Sequence, residues 1–413
     1  MENYIKNHIK SLKPAATLAI NEKCKKLREE GKQVFNFGFG GSPFSIPDKI
    51  VSALKNNAHK KEYLPSVGLK ELREAIAKYI NQYSNNHFAQ DDIIIGPGTK
   101  QLMFLLQLGF EGEFIFPTGS WVSYEPQAII AKNKVHWIKT SRENNWFPKP
   151  EDIEKKIKSI KNKNIILFLN SPNNPSGAIC KNLKEIAEVA KKHEIIVLSD
   201  EIYTQLQFDG KYNSISEYYP EGTIISSGLS KWLGAGGWRL GFFAVPKKLK
   251  KILEIIKILS SESLSAVSAP IQYAAVEAFS NSNNFSDYIN NTRNILFSVG
   301  NYVYNNLKSN KVLINPPQGG FYIMPEFLNS KFKTSSEMCD DIITKTGVAL
   351  LPGSDFGFSR NKMLTRLSYT DFDGETFLKN VNGRKKLDND IIEKYAPNVV
   401  EGTKRLAEWS KSL

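Results

Sequence analysis

The chain has 413 residues, 41% of them hydrophobic, and 55 Lys plus Arg against 42 Asp plus Glu give a formal net charge of +13. That length exceeds one ordinary hydrophobic core, so two domains are expected, and the composition excludes a disordered chain. The cysteines Cys24, Cys180 and Cys339 stand far apart with no CxxC pair, which excludes a disulfide scaffold or a cysteine zinc site, and no metal is expected.

No apolar run nears the roughly 20 residues needed to span a bilayer. MENYIKNHIKSLKPAA carries no apolar signal core, so a cytoplasmic protein without a membrane partner is expected. The positive charge is scattered in pairs such as Lys60-Lys61, Lys191-Lys192 and Lys247-Lys248. That distribution reads as a solvated surface, and no nucleic-acid partner is expected.

Along the chain, the spacing predicts a helix over Leu18–Glu30, stopped at Gly31. Strand-like runs follow at Asp92–Ile95, Glu113–Phe116, Val135–Lys139, Asn164–Leu169, Ile195–Ser199, Thr223–Ser227 and Leu240–Val245. Helical stretches at Thr99–Phe110, Val122–Lys132, Glu151–Ser159 and Leu183–His193 alternate with them. Such alternation implies crossover units, an α/β fold and a mostly parallel sheet covered on both faces. Helices are expected at Lys247–Leu259, Ile271–Phe279 and Ser286–Ser309. A smaller α+β region with strands at Gly320–Met324 and Thr365–Tyr369 completes the chain.

Ligands of open α/β sheets bind at the carboxyl ends of the strands, so the chemistry is sought there. Four loops qualify. GPGTKQ follows the first strand: Gly96 and Gly98 allow a tight turn, and Thr99, Lys100 and Gln101 open a helix whose free N–H groups make a phosphate seat. NSPNNPSG follows Asn164–Leu169, and its prolines hold Asn173 and Asn174 in extended backbone outside the sheet. A cis Asn174–Pro175 bond is expected, because the turn must aim the Asn174 amide inward. DEIY puts Asp200 at a strand tip with Tyr203 three residues on, a carboxylate for a cationic ring nitrogen and a phenol for a ring oxygen. GLSKWLGAGGWRLG supplies Lys231, able to form a Schiff base, and Arg239, able to fork a phosphate. A pyridine ring bearing an aldehyde, a hydroxyl and a phosphate needs each of these groups once. The cofactor inferred is pyridoxal 5'-phosphate.

LKPAATLAI, YLPSVGLKELREAIAKY, PTGSWVSY, NSPNNPSG, SDEIY, SGLSKWLGAGGWRLG, GGFYIM, LPGSDFG and RLSY, in this order, resemble the fold-type-I, class I/II aminotransferases over nearly the whole chain. The resemblance implies a large domain with a seven-stranded sheet and a small domain built from both termini. The expected division is an arm and part of the small domain over 1–45, a cofactor domain over 46–285 and a small domain over 286–413. It also implies a homodimer with a shared active site. By resemblance Lys231 holds the cofactor and moves the substrate proton, and Asp200 pairs with the ring nitrogen. Tyr203 and Asn174 contact the ring oxygen, and Trp121 stacks on the ring. Gly98, Thr99, Lys100 and Arg239 bind the phosphate, with Tyr63 reaching in from the partner. Arg366 clamps the substrate α-carboxylate, helped by Asn174 and the backbone at Gly38.

Three positions depart from the family. Gly228 stands where many relatives have a phosphate-binding Ser or Thr, leaving Ser227 or Ser230 as substitutes; Gly119 replaces a proline; and GGSPF replaces a common acidic segment. The expected activity moves an amino group between an L-amino acid, aromatic, neutral or aspartate-like, and a 2-oxo acid such as 2-oxoglutarate. SSESLSAVSAP holds no basic residue for a second carboxylate, and Phe37, Phe39, Phe44 and Trp121 suit an apolar or aromatic side chain. The alternatives are a C–S β-lyase of the same fold and a cofactor-responsive regulator or nucleic-acid-binding protein. For the last, the residues before the fold leave no room for a helix-turn-helix.

Overall fold

The computed structural model describes residues 4–83, 87–328, 330–381, 383–384 and 386–413. Helix α1 (Ala16–Glu29) leads to β1 (Phe35–Asn36), α2 (Asp48–Asn57) and α3 (Lys70–Asn81). The alternating region follows as β2 (Ile93–Gly96), α4 (Thr99–Gly109), β3 (Glu113–Pro117), α5 (Tyr124–Ile130), β4 (Lys134–Ile138), α6 (Pro150–Ser159), β5 (Ile165–Asn170), α7 (Leu183–Lys192) and β6 (Ile196–Asp200). Then come β7 (Thr223–Gly228), β8 (Gly241–Ala244), α8 (Lys250–Ser263), α9 (Ala269–Ser280) and α10 (Ser286–Leu307). The remainder holds β9 (Val312–Leu313), β10 (Tyr322–Ile323), β11 (Glu326–Phe327), α11 (Ser335–Thr346), β12 (Val348–Ala349), β13 (Leu351–Pro352), β14 (Thr365–Ser368), α12 (Gly374–Val381), α13 (Asn389–Tyr395) and α14 (Pro397–Lys411).

Seven strands form the main sheet in the order β2-β8-β7-β6-β5-β3-β4. Only β8 runs against its neighbours. The other six strands therefore end on one edge, and the reversed β8 begins there. Every residue of β5 is buried, and alternate side chains feed opposite layers. Ile165, Leu167 and Leu169 pack with Ile153 and Ile157 of α6 and Leu183 and Ile186 of α7. Ile166 and Phe168 pack with Leu102 and Leu106 of α4, Ala128 of α5 and Ile256 of α8. The helices present matching stripes: Leu72, Ala75, Ile76, Tyr79 and Ile80 on α3 recur at three- and four-residue steps and are all buried.

Three glycines cross the strand edge in register, Gly96 opposite Gly241 and Gly241 opposite Gly228. A Cβ on Gly241 would lie 2.4 Å from the Thr99 nitrogen, and one on Gly228 2.6 Å from the Leu240 oxygen. The bare row lets the N-terminus of α4 settle directly on the sheet. It also explains why position 228 carries no hydroxyl in this chain.

Away from the main sheet, β10, β14 and β13 form an antiparallel three-stranded sheet. β1 pairs in parallel with β12, Phe35 facing Val348, so backbone from the N-terminal segment is tied to the C-terminal region. Several expected segments are trimmed at their ends, two of them shortened by three residues or more. The helix predicted from Val122 starts at Tyr124, because Trp121–Ser123 form a turn closed by Tyr124 N–H on the Trp121 oxygen. The strand predicted from Gly320 is confined to Tyr322–Ile323, since Gly320 has φ +64°. No helix among the described residues is long and apolar enough to cross a membrane.

Candidate active site

The four loops meet around one cavity of about 420 Å3 at the carboxyl edge of the sheet. Gly98, Thr99, Lys100, Trp121, Asn174, Asp200, Tyr203, Lys231, Arg239 and Arg366 all line it. Phe39–Ser42 and Thr17 and Leu18 of α1 close the opposite wall.

Lys231 Nζ donates to the Gly40 oxygen at 2.9 Å and lies 5.7 Å from the Tyr203 ring centre and 5.6 Å from that of Phe321. Burial lowers its pKa to about 8, with the Arg366 and Arg239 charges pushing the same way and Asp200 opposing. Asp200 ends β6 and is 5% exposed. Burial raises its pKa to about 6 against the hydrogen bonds it accepts. Tyr124 donates to its Oδ2 at 2.6 Å, while Oδ1 is buried without a partner. A buried carboxylate oxygen left bare is costly, so it marks a place where a donor belongs.

The chain fixes that geometry from beneath. Tyr124 is wedged edge-on against Phe168 at 4.9 Å between ring centres, and Phe168 against Phe116 at 5.0 Å. Pairs of this kind contribute about 0.5–1.5 kcal/mol each. Asn170 donates from Nδ2 to the Asp200 backbone oxygen at 2.8 Å and accepts the Asn174 N–H at 2.7 Å, which locks the NSPNNPSG loop to the DEIY loop. The cis bond in that loop is Ser171–Pro172, not the expected Asn174–Pro175. Asn174 is aimed inward by the Asn170 bond, and Asn173 turns the chain by accepting the Ser176 N–H at 3.0 Å, so the second proline stays trans.

Tyr203 shares a hydrogen bond of 3.1 Å with Tyr322, and Asn174 Nδ2 approaches its hydroxyl at 3.5 Å. Arg366 is wholly buried, donates to Asn174 Oδ1 at 3.1 Å and to the Gly38 oxygen, and leaves Nε without a partner. It forms no ion pair with any carboxylate among the described residues. Its guanidinium lies 4.6 Å from the Tyr322 ring centre. A buried guanidinium without an anion calls for one.

At the other end, Arg239 takes the left-handed conformation, φ +57°, and donates to the Gly236 oxygen at 3.0 Å and the Pro97 oxygen at 3.1 Å. A Cβ at Gly98 would sit 2.3 Å from Arg239 Nη2, and Gly98 itself has φ +84°. Glycine there is required twice over. Lys100 stands 5.5 Å over the Trp121 ring, its pKa lowered by burial and then by Arg239.

Other expectations separate. Ser227 donates to the Glu201 backbone oxygen, whereas Ser230 lines the cavity and is the hydroxyl available there. Phe37 and Phe44 are core residues, which removes them from the expected apolar pocket; Phe39 and Trp121 remain on it. Gly38 reaches the site through its carbonyl. Tyr63 is 93% exposed and does not touch its own chain's cavity. The sequence reading missed Tyr124, Asn170 and Tyr322 as site residues. All three lie inside motifs already singled out, Tyr124 in PTGSWVSY, Asn170 in NSPNNPSG and Tyr322 in GGFYIM.

Comparison with known proteins agrees with this geometry. The family model for "Aminotransferase class I and II" matches residues 32–378. An aspartate aminotransferase of Geobacillus stearothermophilus is 34% identical over 378 residues, covering 87% of this chain and 93% of the relative. The aspartate/prephenate aminotransferase of Thermus thermophilus is 28% identical, covering 88% and 94%. The solved aspartate aminotransferase from Thermus thermophilus with maleate superposes with a TM-score of 0.85 at 25% identity, over 98% of this chain and 99% of that one. With its fold-type-I sheet and this strand-edge cavity, the chain belongs to the class I and II aminotransferases and is an amino-acid aminotransferase.

Proposed function

We propose that this enzyme works with pyridoxal 5'-phosphate and transfers the amino group of an aspartate-like L-amino acid to a 2-oxo acid such as 2-oxoglutarate. The observation that carries the reading is the bare Oδ1 of buried Asp200, across the same cavity from Lys231 and Arg239. The residues fit the cofactor: Lys231 for its aldehyde, Asp200 for its ring nitrogen, Tyr203 and Asn174 for its ring oxygen, and Trp121 for its ring face. Gly98, Thr99, Arg239 and Ser230 suit its phosphate, which would find the free N–H groups at the start of α4. When bound, the cofactor supplies an electron sink that makes the substrate Cα–H acidic.

The chain's own groups do the rest. Arg366, with Asn174 beside it, grips the α-carboxylate and so fixes the orientation of the Cα–H bond. Lys231 Nζ would accept the Cα proton and hold it for delivery to the cofactor rather than back to Cα. Its lowered pKa keeps a share of the amine free near neutral pH. Burial of Asp200 removes competing water from its carboxylate, so a cationic donor is its best partner.

For the substrate side chain we assign Lys100, which the resemblance places at the phosphate, as the remaining cation. Arg366 serves one carboxylate and Arg239 the phosphate, while Lys100 stands on the cavity wall over Trp121 with no carboxylate paired to it among the described residues. This supports a dicarboxylate over a purely apolar substrate. A charge-assisted bond contributes about 1.5–3 kcal/mol. Lys100→Ala is therefore expected to raise the KM for aspartate ~10- to 100-fold while changing that for phenylalanine little. Equal effects on both would overturn the dicarboxylate reading. Amino-acid consumption should require a 2-oxo acid acceptor; release of pyruvate and ammonia from a sulfur amino acid without one would favour the β-lyase reading.

We also propose the division into 1–45, 46–285 and 286–413, a homodimer in which Tyr63 serves the partner's phosphate site, and a cytoplasmic location.

A further inference from the structure

Behind the floor of the main cavity lies a second one, of about 230 Å3. Its polar lining includes Arg293, Lys211, Ser282, Asn283, Ser286 and Asn290, and among the described residues no Asp or Glu side chain lines it. Arg293 of α10 donates from Nε to the Gln205 oxygen at 2.6 Å, from Nη2 to Gln205 Oε1 at 3.3 Å and from Nη1 to Asn290 Oδ1 at 3.4 Å. Of its five N–H donors, two are left without an acceptor among the described residues. Gly210, at φ +73°, brings the 205–212 segment close enough that a Cβ there would stand 3.3 Å from Arg293 Nη1. Of the nearby carboxylates, Asp209 is close enough for its charge to act on Arg293 but does not line the cavity. Asp209 Oδ1 accepts from Gln207 Nε2 at 2.8 Å and the Lys211 N–H at 3.0 Å. Glu201 is held by Ser199, Ser214 and Tyr212.

Two cations, a set of hydroxyls and amides, and no lining carboxylate select for negative charge. The volume falls below that of a drug-sized pocket, ~300–1,000 Å3. We propose that this cavity binds a small anion carrying a phosphate or carboxylate group, separately from the amino-acid substrate. Its walls include Trp232, Thr204 and Tyr212. The first two directly follow Lys231 and Tyr203, and the third is bonded to Glu201, the neighbour of Asp200. The bound anion would therefore lie against the reverse side of the catalytic floor.

The test is isothermal titration of enzyme incubated with pyridoxal phosphate and then dialysed, in an Arg366→Gln background that removes the main cavity's carboxylate clamp. Inorganic phosphate and malonate are titrated separately. The expected result is one saturable site per chain for at least one probe, weakened tenfold or more by Lys211→Glu and further by Arg293→Gln. Which probe binds identifies the preferred group. Lys211 is exposed and lies outside the main cavity, so its replacement leaves the fold and the substrate site in place. Absence of saturable binding by both probes, or a Lys211→Glu variant that binds like the parent, would overturn the proposal.

Discussion

The two groups at the centre of the site are shifted in opposite directions by one cause. Burial raises Asp200 to about 6 and lowers Lys231 to about 8, each toward its neutral form. Between those values the carboxylate is charged and most of the amine is still protonated. Only the free amine attacks an aldehyde. Cofactor uptake by the apoenzyme is therefore expected to quicken about tenfold per pH unit up to about 8 and then level off. Stopped-flow absorbance after mixing apoenzyme with pyridoxal phosphate measures this; a rate still climbing tenfold per pH unit beyond pH 9 would contradict the low pKa. At this scale the sequence was informative where chemistry demands a residue type at a strand tip, as for Lys231, Asp200 and Arg239. Tyr124 and Tyr322 were illegible, because an aromatic in a motif reads equally well as packing until its hydroxyl is seen to find Asp200 or Tyr203.

Among elements, the β2–α4 turn and the β7–β8 loop matter most, since together they build the proposed phosphate seat. The glycine row Gly96, Gly241, Gly228 brings them into contact. Gly98→Ala would place a Cβ on Arg239 and force a left-handed alanine, at a cost of about 1–3 kcal/mol for the backbone alone. A cofactor affinity at least ~5-fold weaker is expected on spectrophotometric titration, with a lowered melting temperature. Unchanged affinity would show that Arg239 does not serve the phosphate. The alternation of strands and helices from Ile93 to Ala244 was legible because buried parallel strands such as IILFL are continuous apolar runs. The reversal of β8 was not, for periodicity carries no direction. Helices α2, α3 and α11–α14 also escaped a residue-level reading, because they lie outside the regular alternation of strands and helices.

Across the whole molecule, the N- and C-terminal regions are joined by the β1–β12 pairing, and α1 carries Thr17 and Leu18 to the mouth of the cavity. The change of pattern after Lys247 was legible in the sequence; the joining of the two termini was expected from the family resemblance alone, and its register, Phe35 on Val348, was not, since nothing local encodes it. Tyr63 stands 93% exposed on its own chain. A second copy that inserts this residue would complete the seat. Sedimentation is expected to give twice the 46.6 kDa chain mass, and Tyr63→Phe to weaken cofactor binding without altering that mass. A fully active species of single-chain mass would contradict a shared site.

The Lys231 amine is expected to carry the cofactor covalently. Borohydride reduction of the cofactor-loaded enzyme fixes that bond, and peptide mass spectrometry then locates it. The phosphopyridoxyl group is expected on the peptide containing Lys231 and on no other lysine. A label elsewhere, or none after loading, would contradict the account.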